Sequence, residues 1–169
     1  LERSAAELVA LLAEGSFRDS LSILQKVLVM SKDTKVEVKE VLAVTGAPRG
    51  EVVHGILGSV VHQDAAAALA MIETAVQDNL DMRILARLLI HYMRAALILR
   101  YAPELKSSFT KEFSEDDLAF IEGLSKLHSA NSDVLKALLE AHAGMAYDAL
   151  QHLQLELMVI DVCKGNEGK

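Results

Sequence analysis

The stretch Met82–Tyr101 reads MRILARLLIHYMRAALILRY and is apolar on nearly every side of a helix. A helix of that kind cannot lie on a surface; it needs other helices around it. A bilayer is no alternative, because a span needs roughly 18–20 uninterrupted apolar residues. The closest run, 84–99, is broken by Arg87, His91 and Arg94. Asp81 supplies an N-cap on one side, and Tyr101-Ala-Pro103 stops the helix on the other. The remaining chain must therefore furnish a helical shell.

It does so in segments. Residues 1–14 carry Ala5, Leu8, Val9 and Leu12 on one face, and Gly15 ends that segment. Ser16 and Asp19 form an S-x-x-D capping box for a helix over 16–31, with the hydroxyl and the carboxylate each reaching backbone N–H groups. Phe17, Leu21, Leu24 and Leu28 recur on one face of it, widened by Ile23, Val27 and Met30. Thr34-Lys-Val-Glu37 reads as another box, opening a short helix with Val38, Val41 and Leu42 inward. Thr45-Gly-Ala-Pro48 ends it with both helix-stopping residue types and marks a domain boundary, 1–46 against 47–169.

Beyond it, residues 51–62 place Val52, Val53, Ile56, Leu57, Val60 and Val61 inward at three- and four-residue steps, a helix rather than a strand. Asp64 caps an alanine-rich helix ending near Asn79. After a looser region, 104–113, Ser114-Glu-Asp-Asp117 is a third box, leading a helix with Leu118, Ile121 and Leu124 inward. Asn131 or Ser132 starts the next, through Leu135, Leu138, Leu139 and His142, and a last helical stretch runs to Cys163, with 164–169 polar and frayed. No alternating strand pattern occurs. The expected fold is all-α.

Composition removes several functions. A net charge of -7 argues against a protein that holds nucleic acid by itself. A single cysteine, Cys163, excludes an internal disulfide framework and suits a reducing compartment, and no signal peptide leads the chain, so a cytoplasmic protein without a membrane partner is expected. The chain opens without methionine, directly in helical sequence, as part of something longer would. No phosphate-loop motif is present, and the six histidines show no H-x-x-x-H or H-E-x-x-H spacing, so no metal site and no catalytic set is expected. His91 and His142 read as core or boundary residues. The run Glu115-Asp116-Asp117 reads as first-turn carboxylates facing a helix dipole.

Two cationic features stay open on the residues alone. Arg18 falls in a first turn, where the dipole disfavours a cation by roughly 0.3–1 kcal/mol, partly offset by Asp19. It is either a solvated surface residue or, with the exposed N–H groups, an anion receptor. Arg83, Arg87, His91 and Arg94 form a basic line on the central helix. That line is either its solvated edge or an inter-subunit ion-pair seam or anion contact.

Gly15-Ser-Phe-Arg-Asp-Ser-Leu-Ser-Ile-Leu-Gln25 resembles the G-S-x-R-D-A-L-S-L-L-D-Q signature of the bacterial DNA polymerase III gamma/tau family, the AAA+ motors of the replicative clamp loader. Val36-Glu-Val-Lys-Glu-Val-Leu-Ala-Val-Thr-Gly46 is similar to that family's short V-x-x-x-L-G helix. Asp64-Ala-Ala-Ala-Ala-Leu, then Gln77-Asp-Asn-Leu-Asp81, then 85–101 resemble its collar pattern, and Gln154-Leu-Glu-Leu157 its closing L-E-L-A-L-L helix. The order is the family's order along essentially the whole chain. Ser20 stands for the usual alanine, Lys26 follows Gln25, Gln63 and Asn79 replace glycines, and His152-Leu153 occupies a stretch where proline often precedes the last helix.

The resemblance implies a partial AAA+ lid, lacking its first helix, over 1–46 and a helical clamp-loader collar over 47–169. It implies that Arg18 is the sensor-2 residue that reads ATP bound on a preceding domain, with Gly15, Ser16 and Asp19 shaping the helix start. ATP and magnesium belong to the full-length parent, an ATPase subunit; this fragment carries no cofactor and is not expected to be an enzyme alone. Its implied partners are the other clamp-loader subunits and further copies of itself through the collar, with DNA and the sliding clamp met only through the full assembly. The rival expectation is a free-standing helical adaptor with no nucleotide role.

Overall fold

A computed structural model describes residues 1–13, 15–31, 35–109, 113–146 and 150–164. Among these, every regular element is a helix. Helices α1 (Arg3–Leu12), α2 (Phe17–Met30) and α3 (Val38–Thr45) come first. They are followed by α4 (Gly50–Val61), α5 (Ala65–Gln77) and the long α6 (Met82–Tyr101). A single 3-10 turn, Pro103–Leu105, and the one-turn α7 (Lys106–Phe109) lead to α8 (Glu115–Ser125), α9 (Ser132–Gly144) and α10 (Gln151–Lys164).

The caps explain most boundaries. Asp64 accepts from the Ala67 N–H, Asp81 from those of Arg83 and Ile84, and Asn131 from those of Asp133 and Val134. Each side chain satisfies donors that a first turn leaves orphaned. Thr34 of the box expected at Thr34–Glu37 lies outside the described residues; the N-cap of α3 is Glu37, in a reciprocal box with Glu40. Glu40 accepts the Glu37 N–H at 2.9 Å, and that bond, first among several, holds its carboxyl below the usual range. At Ser16 only half the expected box forms. Its Oγ accepts the Asp19 N–H at 3.2 Å, while its own N–H goes to the Ala13 carbonyl at 2.7 Å instead of the Asp19 carboxylate.

Two apolar clusters result. One joins Ala5, Val9, Leu12, Val27, Val36, Val41 and Ala47 under α1–α3. The other is larger and surrounds α6, whose Leu85, Ala86, Leu89, Met93, Ala95 and Ala96 are fully buried against α4, α8, α9 and α10. Each buried Leu, Ile or Met there contributes about 1.5–3 kcal/mol by leaving water. Leu85 to Met93 thus form the hub that the sequence of α6 demands.

The stripe on α2 meets a different fate. Phe17 is 78% exposed and Leu28 62%, with Leu21 half out, and only Val27 is buried. Val29 and Met30 add exposures of 81% and 66%. The two short helices α1 and α3 suffice to cover one side of α2, the side of Val27, Ile23 and Leu24, and leave the other facing water.

Candidate functional site

The corner between α1 and α2 places the residues singled out by sequence. Gly15 takes φ +77°, a left-handed conformation that side-chain-bearing residues adopt at a cost, although nothing would crowd a Cβ there. Its requirement is for backbone freedom alone. Ser16 then turns extended and caps α2, and the Ser20 and Ser22 hydroxyls bond back to the Ser16 and Arg18 carbonyls, each at 3.0 Å. Arg18 projects from the first turn into solvent, and among the described residues its guanidinium has no ion-pair or hydrogen-bond partner. Asp19 is exposed beside it. Gly15, Ser16, Arg18 and Asp19 are therefore gathered at one exposed helix start, next to the uncovered apolar side of α2. Chemically, that corner offers a charged fork of donors plus free first-turn N–H groups, a combination suited to phosphate oxygens.

The basic line on α6 does not stay together. Arg83 and Arg94 are exposed. Arg87 is half-buried and donates from Nη1 to the Leu12 carbonyl at the end of α1, at 2.8 Å. His91 lies against Phe113, ring centroids 4.7 Å apart and nearly parallel, and burial, helped by Arg94, pushes its pKa down to about 4. A neutral imidazole and an arginine tied to a carbonyl do not make a solvated edge.

A second polar centre escaped sequence reasoning. Asp117 ends the Ser114 box, and its carboxylate binds side chains. Ser114 donates its hydroxyl to Oδ2 at 2.6 Å, and His54 Nε2 of α4 sits 2.7 Å from Oδ1. Tyr92 of α6 also bonds to this carboxylate, and burial, then the Asp117 charge, raise its phenol well above the usual range. His54 is stacked on Phe120 at 4.2 Å. Asp117 thus ties α8 to α4 and α6. The only sequence signal was a third carboxylate in a run where one suffices for the cap.

Between the two clusters lies a cleft of about 440 Å³, walled mainly by Leu8, Leu11, Leu42, Leu88, Tyr92 and Phe113. No grouping of three or more His, Cys, Asp or Glu suited to a metal occurs among the described residues, and no described helix is long and apolar enough to cross a membrane.

On the larger cluster, α4 spends Val53, Ile56, Leu57, Val60 and Val61 on the core. Exposed apolar residues include Tyr101 at the end of α6, Met71 and Leu105, and a group on α9, before α10 and on α10: Leu139 (49% exposed), Leu150, Leu153 and Leu157.

These features define an all-α protein of two helical clusters hinged on one buried helix, with an anion-suited arginine at an exposed helix start. No family model matches the chain. Over 166 residues, 97% of its length, it is 26% identical to DNA polymerase III subunit tau of Bacillus subtilis (strain 168). The chain is tau-like along almost all of itself, and it spans 29% of the length of that relative.

Proposed function

We propose that this chain is the lid and collar part of a clamp-loader subunit acting in DNA replication. Arg18 contacts the terminal phosphates of ATP held by a preceding domain, and residues 47–169 assemble subunits side by side. The observation that carries this reading is the pairing at the α1–α2 corner: an exposed Arg18, without an ion pair among the described residues, beside an uncovered apolar helix face. A face of that size on a lone domain is a liability in water, whereas a domain bearing the nucleotide would cover it and bring phosphates to the arginine.

The backbone adds independent support for the register of the resemblance. Gln63 and Asn79 are the non-glycine residues with left-handed φ, 63° and 56°, among those described. Both stand where the family pattern carries glycine, the residue that takes this conformation without strain. In the full gene product magnesium and the nucleotide would supply the reacting centre. From this chain Arg18 would supply one charged contact, and the first-turn N–H groups a weaker field. Leu139, Leu150, Leu153 and Leu157 are the surface with which the collar would meet its neighbours, with exposed Arg83 and Arg94 as charged groups elsewhere on the unit.

The uncovered α2 face also suits a free-standing adaptor that docks a partner helix. A phosphate-loop motif encoded upstream of Leu1 supports the motor reading, and its absence supports the adaptor. The deciding experiment is Arg18→Ala in the full gene product. Loss of DNA-stimulated ATPase and clamp loading, with unchanged thermal unfolding, is the expected result. Normal loading by the folded variant overturns the phosphate-reading role.

A further inference from the structure

The two clusters are fastened along one line of α6. The Asp81 N–H donates to the Gly46 carbonyl at 3.0 Å, Ile84 packs against both clusters, and Arg87 reaches the Leu12 carbonyl at 2.8 Å. Residues 81, 84 and 87 fall three apart and so share one side of the helix. Leu11 of α1 also packs against the larger cluster, and beyond Arg87 the 440 Å³ cleft lies between Leu8 and Leu11 on one side and Leu88, His91 and Tyr92 on the other. The junction is thus closed at one edge and unfilled at the other, the arrangement of a hinge.

Arg87 holds the end of that edge nearest the nucleotide-facing corner. Leu12 is the last residue of α1, where carbonyls lack intrahelical partners and the helix dipole is negative. A guanidinium there satisfies a carbonyl and is favoured by the field. Ala13 follows, and its carbonyl receives the Ser16 N–H at 2.7 Å, which in turn sets the N-cap of α2. Arg87 of the central helix, Leu12, Ala13, Ser16 and Arg18 are therefore joined in one short series of contacts.

We propose that Arg87 is a positioning residue for Arg18: it fixes the α1–α2 corner to the central helix of the collar. This rests on the phosphate-reading role of Arg18. Its consequence is directional. A pull on Arg18 by phosphate moves the corner, and the corner moves against α6 through the Leu12–Arg87 bond, with the cleft providing the room to tilt. Occupancy at the nucleotide is thereby passed to the unit that touches the other subunits.

The test is amide hydrogen exchange on this chain, with Arg87→Met, Arg87→Lys and, as a control, Arg100→Met, which removes the α6 arginine that serves carbonyls at the end of α8. Losing a charge-assisted bond at a helix end should speed local opening about tenfold or more. Arg87→Met is expected to accelerate exchange at Leu12, Ala13 and Ser16 by that factor and to leave 124–127 unchanged. Arg87→Lys should recover part of the protection, and Arg100→Met should show the opposite pattern. Unchanged exchange at the corner, or acceleration spread uniformly over both clusters, overturns the inference whatever Arg18 does. In the full gene product, Arg87→Met should raise KM for ATP several-fold with a smaller change in kcat. A loosened corner with nucleotide kinetics indifferent to both Arg87→Met and Arg18→Ala would overturn the phosphate-reading role itself.

Discussion

Gln63→Gly should stabilise the protein. Gln63 sits between α4 and α5 at φ 63°, where a side-chain-bearing residue is strained by about 1–2 kcal/mol. Its Oε1 is buried with no hydrogen-bond partner among the described residues, a further cost of about 1 kcal/mol at the low end. Against these stand a long bond from Nε2 to the Val60 carbonyl, 3.3 Å, contributing about 0.5 kcal/mol, and the greater freedom of glycine in the unfolded chain, about 0.5–1 kcal/mol. The net expectation is a gain of about 1 kcal/mol, or about 2–4 °C in Tm for a chain of this size. Asn79→Gly should give only a few tenths of a kcal/mol, since asparagine tolerates the left-handed region better. Gly46→Ala is the mirror experiment. Gly46 has φ +67°, and a Cβ would meet the Asp81 nitrogen at an ordinary 3.7 Å, so the cost is backbone strain, about 1 kcal/mol. Urea unfolding followed by circular dichroism, with unchanged m values, measures all three. A Gln63→Gly variant that is neutral or weaker, alongside a harmless Gly46→Ala, refutes the reasoning.

Acid should weaken the fold through His91. Its pKa is near 4 folded and 6.5 unfolded, so below pH 6.5 the unfolded chain binds a proton that the folded one refuses, and stability falls until pH reaches about 4. The full linkage at pH 5 is about 2 kcal/mol, and about 1 kcal/mol after allowing for the solvent-facing part of the ring. Comparing the protein with His91→Phe in unfolding titrations from pH 7 to 4.5 isolates it; equal pH slopes contradict it. Arg100→Met should cost about 1.5–3 kcal/mol, because this guanidinium serves the Ser125, Leu124 and Leu127 carbonyls at the end of α8. Thermal unfolding checks that figure. Ile72→Ala, at a fully buried position, should cost about 2–5 kcal/mol in the same assay.

What the sequence made legible was local. Ser16, Asp64, Asp81, Ser114 and Asn131 each bond a backbone N–H two or three residues on, so the cap is written within a single turn. The periodicity of α4 and α6 likewise needed no partner to be read. Arg87 on Leu12 and His54 on Asp117 are different, because each joins residues far apart in the chain through packing that periodicity does not encode. The same holds for the α2 stripe. Spacing shows that Phe17, Leu21 and Leu28 share a face, but whether that face is covered depends on how many neighbours the fold supplies. For the candidate site, the sequence placed Arg18 at a helix start, and the resemblance alone gave it a phosphate. Its exposure and the uncovered face beside it came from the tertiary structure.

Sedimentation velocity tests whether this chain is a clamp-loader segment with an assembling collar. A concentration series of this chain should be run alone and with the other clamp-loader subunits. Burying Leu139, Leu150, Leu153 and Leu157 should give weak self-association at high concentration and a larger complex when those subunits are present. A strict monomer at every concentration that also ignores the added subunits contradicts the account and leaves the adaptor reading in its place.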